Sequence, residues 1–383
     1  MHKSSLLSEL GFNAGGGSSG FFRPVAEGFP LTPISSGTPH HRLTKVSVIG
    51  AGKVGMAIAQ TILTQNLADE IALVSAHPDK LRGEALDLQH AAAFLPRIHI
   101  VHGTDAMVTK NSDLVVITAG ARQTLEETRM NLLQRNVALY RKIVPPVAEH
   151  SPEALLLVVS NPVDVLTYVA WKLSGFPASR VIGSGTNLDS SRFRFLIAEH
   201  LDVNAQDMQV TYVVCLFGGN DRQLTKQNQM GISFQAYMVG EHGDSSVAVW
   251  SSISVGGMPA FKWLRNSHRS FDEAALEGIR HAVVGGAYEV IGLKGYTSWA
   301  IGYSVASLAA SLLRDQHSVH PVSVLAAGSH GIAGDHEVFL SLPALLGRRG
   351  VLGVAEMDLT EDEAAQLRSS AKTLWEKCQL LDL

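Results

Sequence analysis

Two cysteines in 383 residues, Cys215 and Cys378, leave no material for a disulfide framework and point to a reducing compartment. Neither lies near a candidate site histidine in the sequence, so no metal site is expected. A basic excess is missing as well. With 31 Lys and Arg against 35 Asp and Glu, and a net charge of -4, there is no electrostatic ground for binding nucleic acid or an anionic membrane. No apolar run approaches the ~18 residues of a transmembrane helix, and the start lacks a signal-peptide core. What remains is a chain 46% hydrophobic and 17% charged, long enough for two domains. A small-molecule partner and a cytoplasmic location are expected.

Residues 1–43 are set apart by the run Gly15-Gly16-Gly17-Ser18-Ser19-Gly20 and by scattered prolines. They have too little periodic apolar content to offset their ordering entropy, so a flexible extension is expected. Glu9, Glu27 and the scarcity of arginine oppose a transit peptide.

From Lys45 a β-branched run, Lys45-Val46-Ser47-Val48-Ile49, enters Gly50-Ala51-Gly52-Lys53-Val54-Gly55, and an apolar helix follows. Strand, glycine turn and helix in that order form a dinucleotide cradle. The glycines admit the backbone, and the helix start offers free N–H groups and a favourable dipole to a pyrophosphate. An acidic residue is expected about 20 positions on, to hold the ribose hydroxyls. Ser75 stands there instead, which weakens the preference for NAD and makes NADP tolerable. Near-continuous apolar runs at 113–118 and 154–159 read as parallel strands covered on both faces. Each ends in a polar loop, Ala119-Gly120-Ala121-Arg122-Gln123 and Ser160-Asn161-Pro162. Ligands of such sheets bind at those carboxyl ends, and Pro162 biases Asn161 away from helix. The expected fold is α/β, a doubly wound parallel (Rossmann) sheet over 44–186, followed by a mixed α/β substrate domain over 187–383.

Two later motifs carry the chemistry, Asn187-Leu188-Asp189-Ser190-Ser191-Arg192 and Gly240-Glu241-His242-Gly243-Asp244. A histidine exchanges a proton reversibly near neutrality. A carboxylate beside it raises its proton affinity and fixes its tautomer. Asp189 and Arg192, three apart, share a face of any helix they occupy, and a guanidinium fork suits a substrate carboxylate.

Together with Ser160-Asn161-Pro162-Val163-Asp164 and Gly295-Tyr296-Thr297-Ser298-Trp299, these motifs resemble the lactate/malate dehydrogenase family, most closely its L-lactate branch of plant type with an N-terminal extension. The resemblance runs from about Leu43 to the C-terminus, excluding the segment at 210–235. It implies reversible hydride transfer between NADH and pyruvate, with His242 as acid/base and Asp189 orienting it. It further implies that Arg192 grips the substrate carboxylate and that Arg129 polarises the carbonyl as its loop closes. Asn161 and Thr297 would line substrate and nicotinamide. Gly50, Gly52, Gly55, Ser75 and Arg122 would hold the cofactor. The family pattern also implies a homotetramer working in glycolysis and fermentation. Gln123 is neutral where malate enzymes carry arginine; oxaloacetate's second carboxylate would be poorly compensated there, so pyruvate is preferred.

The sequence departs from the family in two places besides Ser75. Glu126 replaces a glycine of the mobile loop, which removes backbone freedom and adds a charge near the entrance. Residues 210–235 form an insert before the strand that delivers His242. It starts with strand-like Val210-Thr211-Tyr212-Val213-Val214; valine codons begin with GT and a glutamine codon can end in AG, so a retained in-frame intron is the expected origin, with an evolved functional loop as the rival. A one-residue slip at its end would turn the following strand inside out. The alternative reading is therefore a catalytically impaired homologue that binds dinucleotide or joins hetero-oligomers. Malate dehydrogenase is a third reading, opposed by Gln123.

Overall fold

The computed structural model describes residues 22–23, 43–96, 98–121, 129–200, 235–255, 258–259, 273–381 and 383. A two-residue strand β1 (Phe22–Arg23) comes first. It pairs antiparallel with Ala355 and Val354 at a sheet edge far along the chain.

Strand β2 (Lys45–Ile49) is buried from Val46 onward and forms parallel ladders on both sides. One neighbour is β3 (Glu70–Val74), beyond which lies β4 (His99–Gly103). The other is β5 (Leu114–Ile117), followed by β6 (Leu155–Val158) and β7 (Val181–Gly183). The chain thus winds outward from β2 in one direction, returns, and winds outward in the other. The reversal falls between β2 and β5, the place where a doubly wound sheet offers a crevice for its ligand. The central strands are short runs dominated by Val, Ile, Leu and Ala with almost no exposure, as a sheet covered on both faces requires, whereas the edge strand β4 carries His99 and His102 and buries only Ile100. The helices between them include α1 (Lys53–Thr64), α2 (Pro78–Ala91), α3 (Arg129–His150) and α4 (Val163–Ser174).

Past β7 the chain enters helix α5 (Asn187–His200), and a second sheet holds β8 (Gln235–Val239), β9 (Val247–Val255) and β10 (Met258–Pro259). Helices α6 (Glu273–Lys294) and α7 (Trp299–Leu313) follow. The large sheet then resumes with β11 (Ser318–Leu325), β12 (Phe339–Gly347) and β13 (Gly350–Ala355). Strand β11 joins β7 through Ser323 opposite Gly183, so ten strands form one continuous sheet. Helix α8 (Glu361–Gln379) closes the chain behind a capping box, in which Thr360 and Glu363 satisfy each other's main-chain N–H groups.

Alternation along β8 divides its side chains between two cores. Tyr237 and Val239 enter the main core of the large sheet. Ala236 and Met238 enter a smaller cluster with Phe193 and Ile197 of α5 and Val283 of α6. A strand used on both faces has little latitude in register. The one irregularity, between Gln235 and Tyr237, sits at its entrance; from Tyr237 to Val239 the pairing with Val249, Ala248 and Val247 is regular. The insert at 210–235 lies outside the described residues except for Gln235, as does most of the extension at 1–43.

Candidate active site

The glycine turn after β2 is dictated by space. Gly50 has φ +108° and donates its N–H to Val74 O at 2.7 Å; a Cβ there would meet Ala119 N at 2.7 Å. A Cβ on Gly55 would lie 2.0 Å from Gly50 O, so the first turn of α1 can follow the turn this closely only with glycine. At Gly52 the situation is reversed. It caps α1 with no side chain on the free N–H groups, no acid stands in the first turn, and nothing lies within 4 Å of its Cβ direction. An uncapped helix start facing open space suits a dinucleotide pyrophosphate. Ser75 follows β3 directly, half-buried, where the ribose acid was expected.

The loops after β5 and β6 close the other side of the crevice. Ser160 Oγ donates to Ala119 O at 2.7 Å. Asn136, fully buried on α3, accepts from Ala121 N at 2.7 Å and donates to Asn161 O at 3.4 Å. One amide therefore ties both loops, a role invisible in the sequence because Asn136 belongs to no motif. Asn161 is exposed, and the bond to Pro162 is cis. Thr297 is half-buried in the loop between α6 and α7. That loop reaches the glycine turn, since Lys53 Nζ stands 3.5 Å from the centre of the Tyr296 ring.

Asp189 lies in the first turn of α5, its side chain 10% exposed, with one oxygen for each partner. Oδ2 meets His242 Nδ1 at 2.6 Å, and Oδ1 accepts from Arg192 Nη1 at 2.9 Å. An ionised carboxylate only accepts, so Nδ1 carries a proton and the exchangeable site of the imidazole is Nε2. Burial disfavours the imidazolium, yet the Asp189 and Asp164 carboxylates together outweigh it, and the proton affinity of His242 is raised. Burial likewise works against ionised Asp189, and His242 with Arg192 reverses it, holding the carboxyl below its ordinary range. Arg192 commits one N–H to this pair and remains 22% exposed, leaving donors for a second carboxylate.

Further hydrogen bonds, many to residues outside the motifs, hold that pair together. Ser190, fully buried next to Asp189, accepts from Met238 N at 2.9 Å. Thr186 donates its hydroxyl to Met238 O at 2.6 Å and its N–H to Ser341 Oγ at 3.0 Å. Gly240, at φ +85°, exchanges two main-chain bonds with Ser341 of β12. Glu241 N donates to Ser370 on α8 at 2.9 Å, and Lys377 reaches the Glu241 carboxylate at 2.8 Å. His242 N donates to buried Asp164 at 2.7 Å. Of these residues, Thr186, Ser341, Ser370 and Lys377 carried no local signal. Asp164 and Ser190 stood inside quoted motifs without a role.

Arg122, Gln123 and Glu126 lie outside the described residues, and Arg129 opens α3 with its side chain likewise outside. Among the described residues no group of three or more His, Cys, Asp or Glu could hold a metal.

A glycine turn and uncapped helix start at the switch point of a doubly wound sheet, together with a histidine poised to exchange a proton, fit a nicotinamide-dependent oxidoreductase class. Residues 44–183 match the model of the lactate/malate dehydrogenase NAD binding domain, and residues 223–381 match that family's alpha/beta C-terminal domain. The chain belongs to the lactate/malate dehydrogenase family. It is 82% identical to L-lactate dehydrogenase A of Hordeum vulgare over 383 residues, covering all of both chains. It is 69% identical to the L-lactate dehydrogenase of Zea mays over 385 residues, again covering both chains. The L-lactate dehydrogenase C chain of Fundulus heteroclitus is 49% identical over 346 residues, 90% of this chain and 95% of that one.

Proposed function

We propose that this protein is an NAD-dependent L-lactate dehydrogenase acting on pyruvate and (S)-lactate. The observation that carries the reading is the 2.6 Å contact between His242 Nδ1 and Asp189 Oδ2, made from the turn after β8, a strand that begins at the last residue of the inserted segment. Reduced dinucleotide, when bound, supplies the hydride. His242 then delivers the Nε2 proton to the carbonyl oxygen, and Asp189 stabilises the imidazolium beforehand. In the reverse direction neutral His242 accepts the proton from the lactate hydroxyl. Arg192 holds the substrate carboxylate with the donors that Asp189 leaves free, Arg129 polarises the carbonyl, and Gln123 selects a neutral substrate tail. Asn161 and Thr297 line the crevice, while Gly50, Gly52, Gly55 and Arg122 contact the cofactor. Ser75 leaves room for NADP beside NAD.

The extension at 1–43, a dinucleotide domain at 44–186 and a substrate domain at 187–383 carrying the 210–235 insert are the units of this reading. A homotetramer in the cytoplasm is its setting, and no described helix is long and apolar enough to cross a membrane. The assembled His242, Asp189 and Arg192 argue against an impaired homologue. Purified protein assayed with pyruvate or oxaloacetate and NADH or NADPH tests the whole reading. Pyruvate with NADH is expected to be the best pair. Preference for oxaloacetate, or dinucleotide binding without turnover of either acid, would overturn it.

A further inference from the structure

Asp164 is a buried carboxylate, 2% exposed, that the mechanism above does not use. It sits in the first turn of α4, two residues after the cis Asn161–Pro162 bond of the substrate loop. One oxygen accepts the main-chain N–H of His242 at 2.7 Å. The other accepts the hydroxyl of Ser323 on β11, itself fully buried. Its titratable neighbours are His242 and Glu241 from the turn after β8 and Cys378 from α8. Among the described residues no lysine or arginine forms an ion pair with it. A carboxylate placed without a cationic partner is costly, and here the cation that acts on it is the imidazolium of His242.

We propose that Asp164 is a positioning residue for His242. It fixes the 240–242 turn through the main-chain N–H and biases the imidazole toward its charged form by through-space charge. The inference rests on the reading of His242 as the acid/base. Its consequence is that two carboxylates divide the work on one histidine: Asp189 orients the ring, whereas Asp164 anchors the backbone and links it to the Asn161 loop. Burial pushes the Asp164 carboxyl up to about 6, so it carries charge at neutral pH and loses it in mild acid.

The test uses the full chain and Asp164→Asn, an isostere that keeps an acceptor and removes the charge. Diethyl pyrocarbonate reacts with neutral imidazole, so peptide mass spectrometry of the His242 peptide across pH reads its protonation without requiring turnover. The reaction midpoint is expected at lower pH in Asp164→Asn, and kcat/KM for pyruvate at neutral pH is expected to fall on the order of ten-fold. NADH binding is expected to be unchanged. A folded variant with the wild-type midpoint would overturn the proposal. Ser323→Ala is the second variant should Asp164→Asn fail to fold; it raises the proton affinity of Asp164, and a smaller shift in the same direction is expected. An unmoved midpoint there counts equally against the proposal. A wild-type chain that turns over no pyruvate would instead sink the functional reading while leaving the midpoint comparison intact.

Discussion

Replacing Asp189 by asparagine keeps the volume and removes the charge that two cations share. In the native site the carboxylate is 10% exposed and accepts from His242 at 2.6 Å and from Arg192 at 2.9 Å. Removing one member of a buried charge pair costs about 3–5 kcal/mol. The partners here are 28% and 22% exposed, so solvent screens part of that loss and the lower end applies. About 3 kcal/mol taken from the protonated state that donates to the carbonyl corresponds to roughly 10²-fold in kcat/KM for pyruvate. The amide can also present its NH2 to Nδ1, which would leave the transferable proton misplaced. Steady-state loss of NADH absorbance with pyruvate, repeated across pH, measures both effects. Activity within about three-fold of wild type, with no change in the pH at which it is lost, would refute the role given to Asp189.

The pH profile of the native enzyme follows from the direction of the two shifts. His242 lies above its ordinary 6.5, so kcat/KM for pyruvate is expected to stay flat through that value and decline above it. Lactate oxidation should rise over the same interval; parallel profiles for the two directions would contradict the assignment. The pair's contribution to stability is complete between about 3.8 and 6.5. It is lost as pH climbs through the raised value of His242 or falls through the lowered value of Asp189, which thermal unfolding across pH checks. Ser190→Ala removes a buried donor and acceptor that joins α5 to Met238, at a cost of about 1–3 kcal/mol. A parallel fall in kcat is expected, and unfolding scans with kinetics would show whether only stability moves. Ser75→Asp restores an acid at the ribose position and should raise the preference for NADH over NADPH by roughly ten-fold or more, read from the ratio of the two kcat/KM values.

The parallel half of the fold was legible because its signals are local. An uninterrupted apolar run of five residues next to a glycine turn leaves few alternatives, and the runs at 113–118 and 154–159 became β5 and β6 with one residue trimmed from each end. The pairing of Asp189 with Arg192 was likewise readable, since a spacing of three on a helix brings the two together. The approach of His242 to Asp189 was only implied by family likeness, for 53 positions separate the two in sequence. What holds them is dispersed over Thr186, Ser190, Ser341, Ser370 and Asp164. Serine and threonine hydroxyls carry no periodicity, and their partners are main-chain atoms mostly far away in the sequence. The continuation of the sheet through β11 to β13 was illegible for the same reason: antiparallel pairing across a single Ser323–Gly183 contact leaves no trace in either segment. The register of β8 after the insert was posed by the sequence as an open hazard. Burial of both its faces explains why the strand settles as it does.

Turnover of pyruvate with NADH by the intact chain, measured beside His242→Asn and beside a version lacking residues 210–235, bears on all of this at once. The intact chain is expected to reduce pyruvate at a rate within about ten-fold of the shortened one, and His242→Asn to lose activity by roughly 10²-fold or more. An intact chain that binds NADH and leaves pyruvate untouched, with activity appearing only when 210–235 is removed, would mean that β8 does not hold His242 against Asp189.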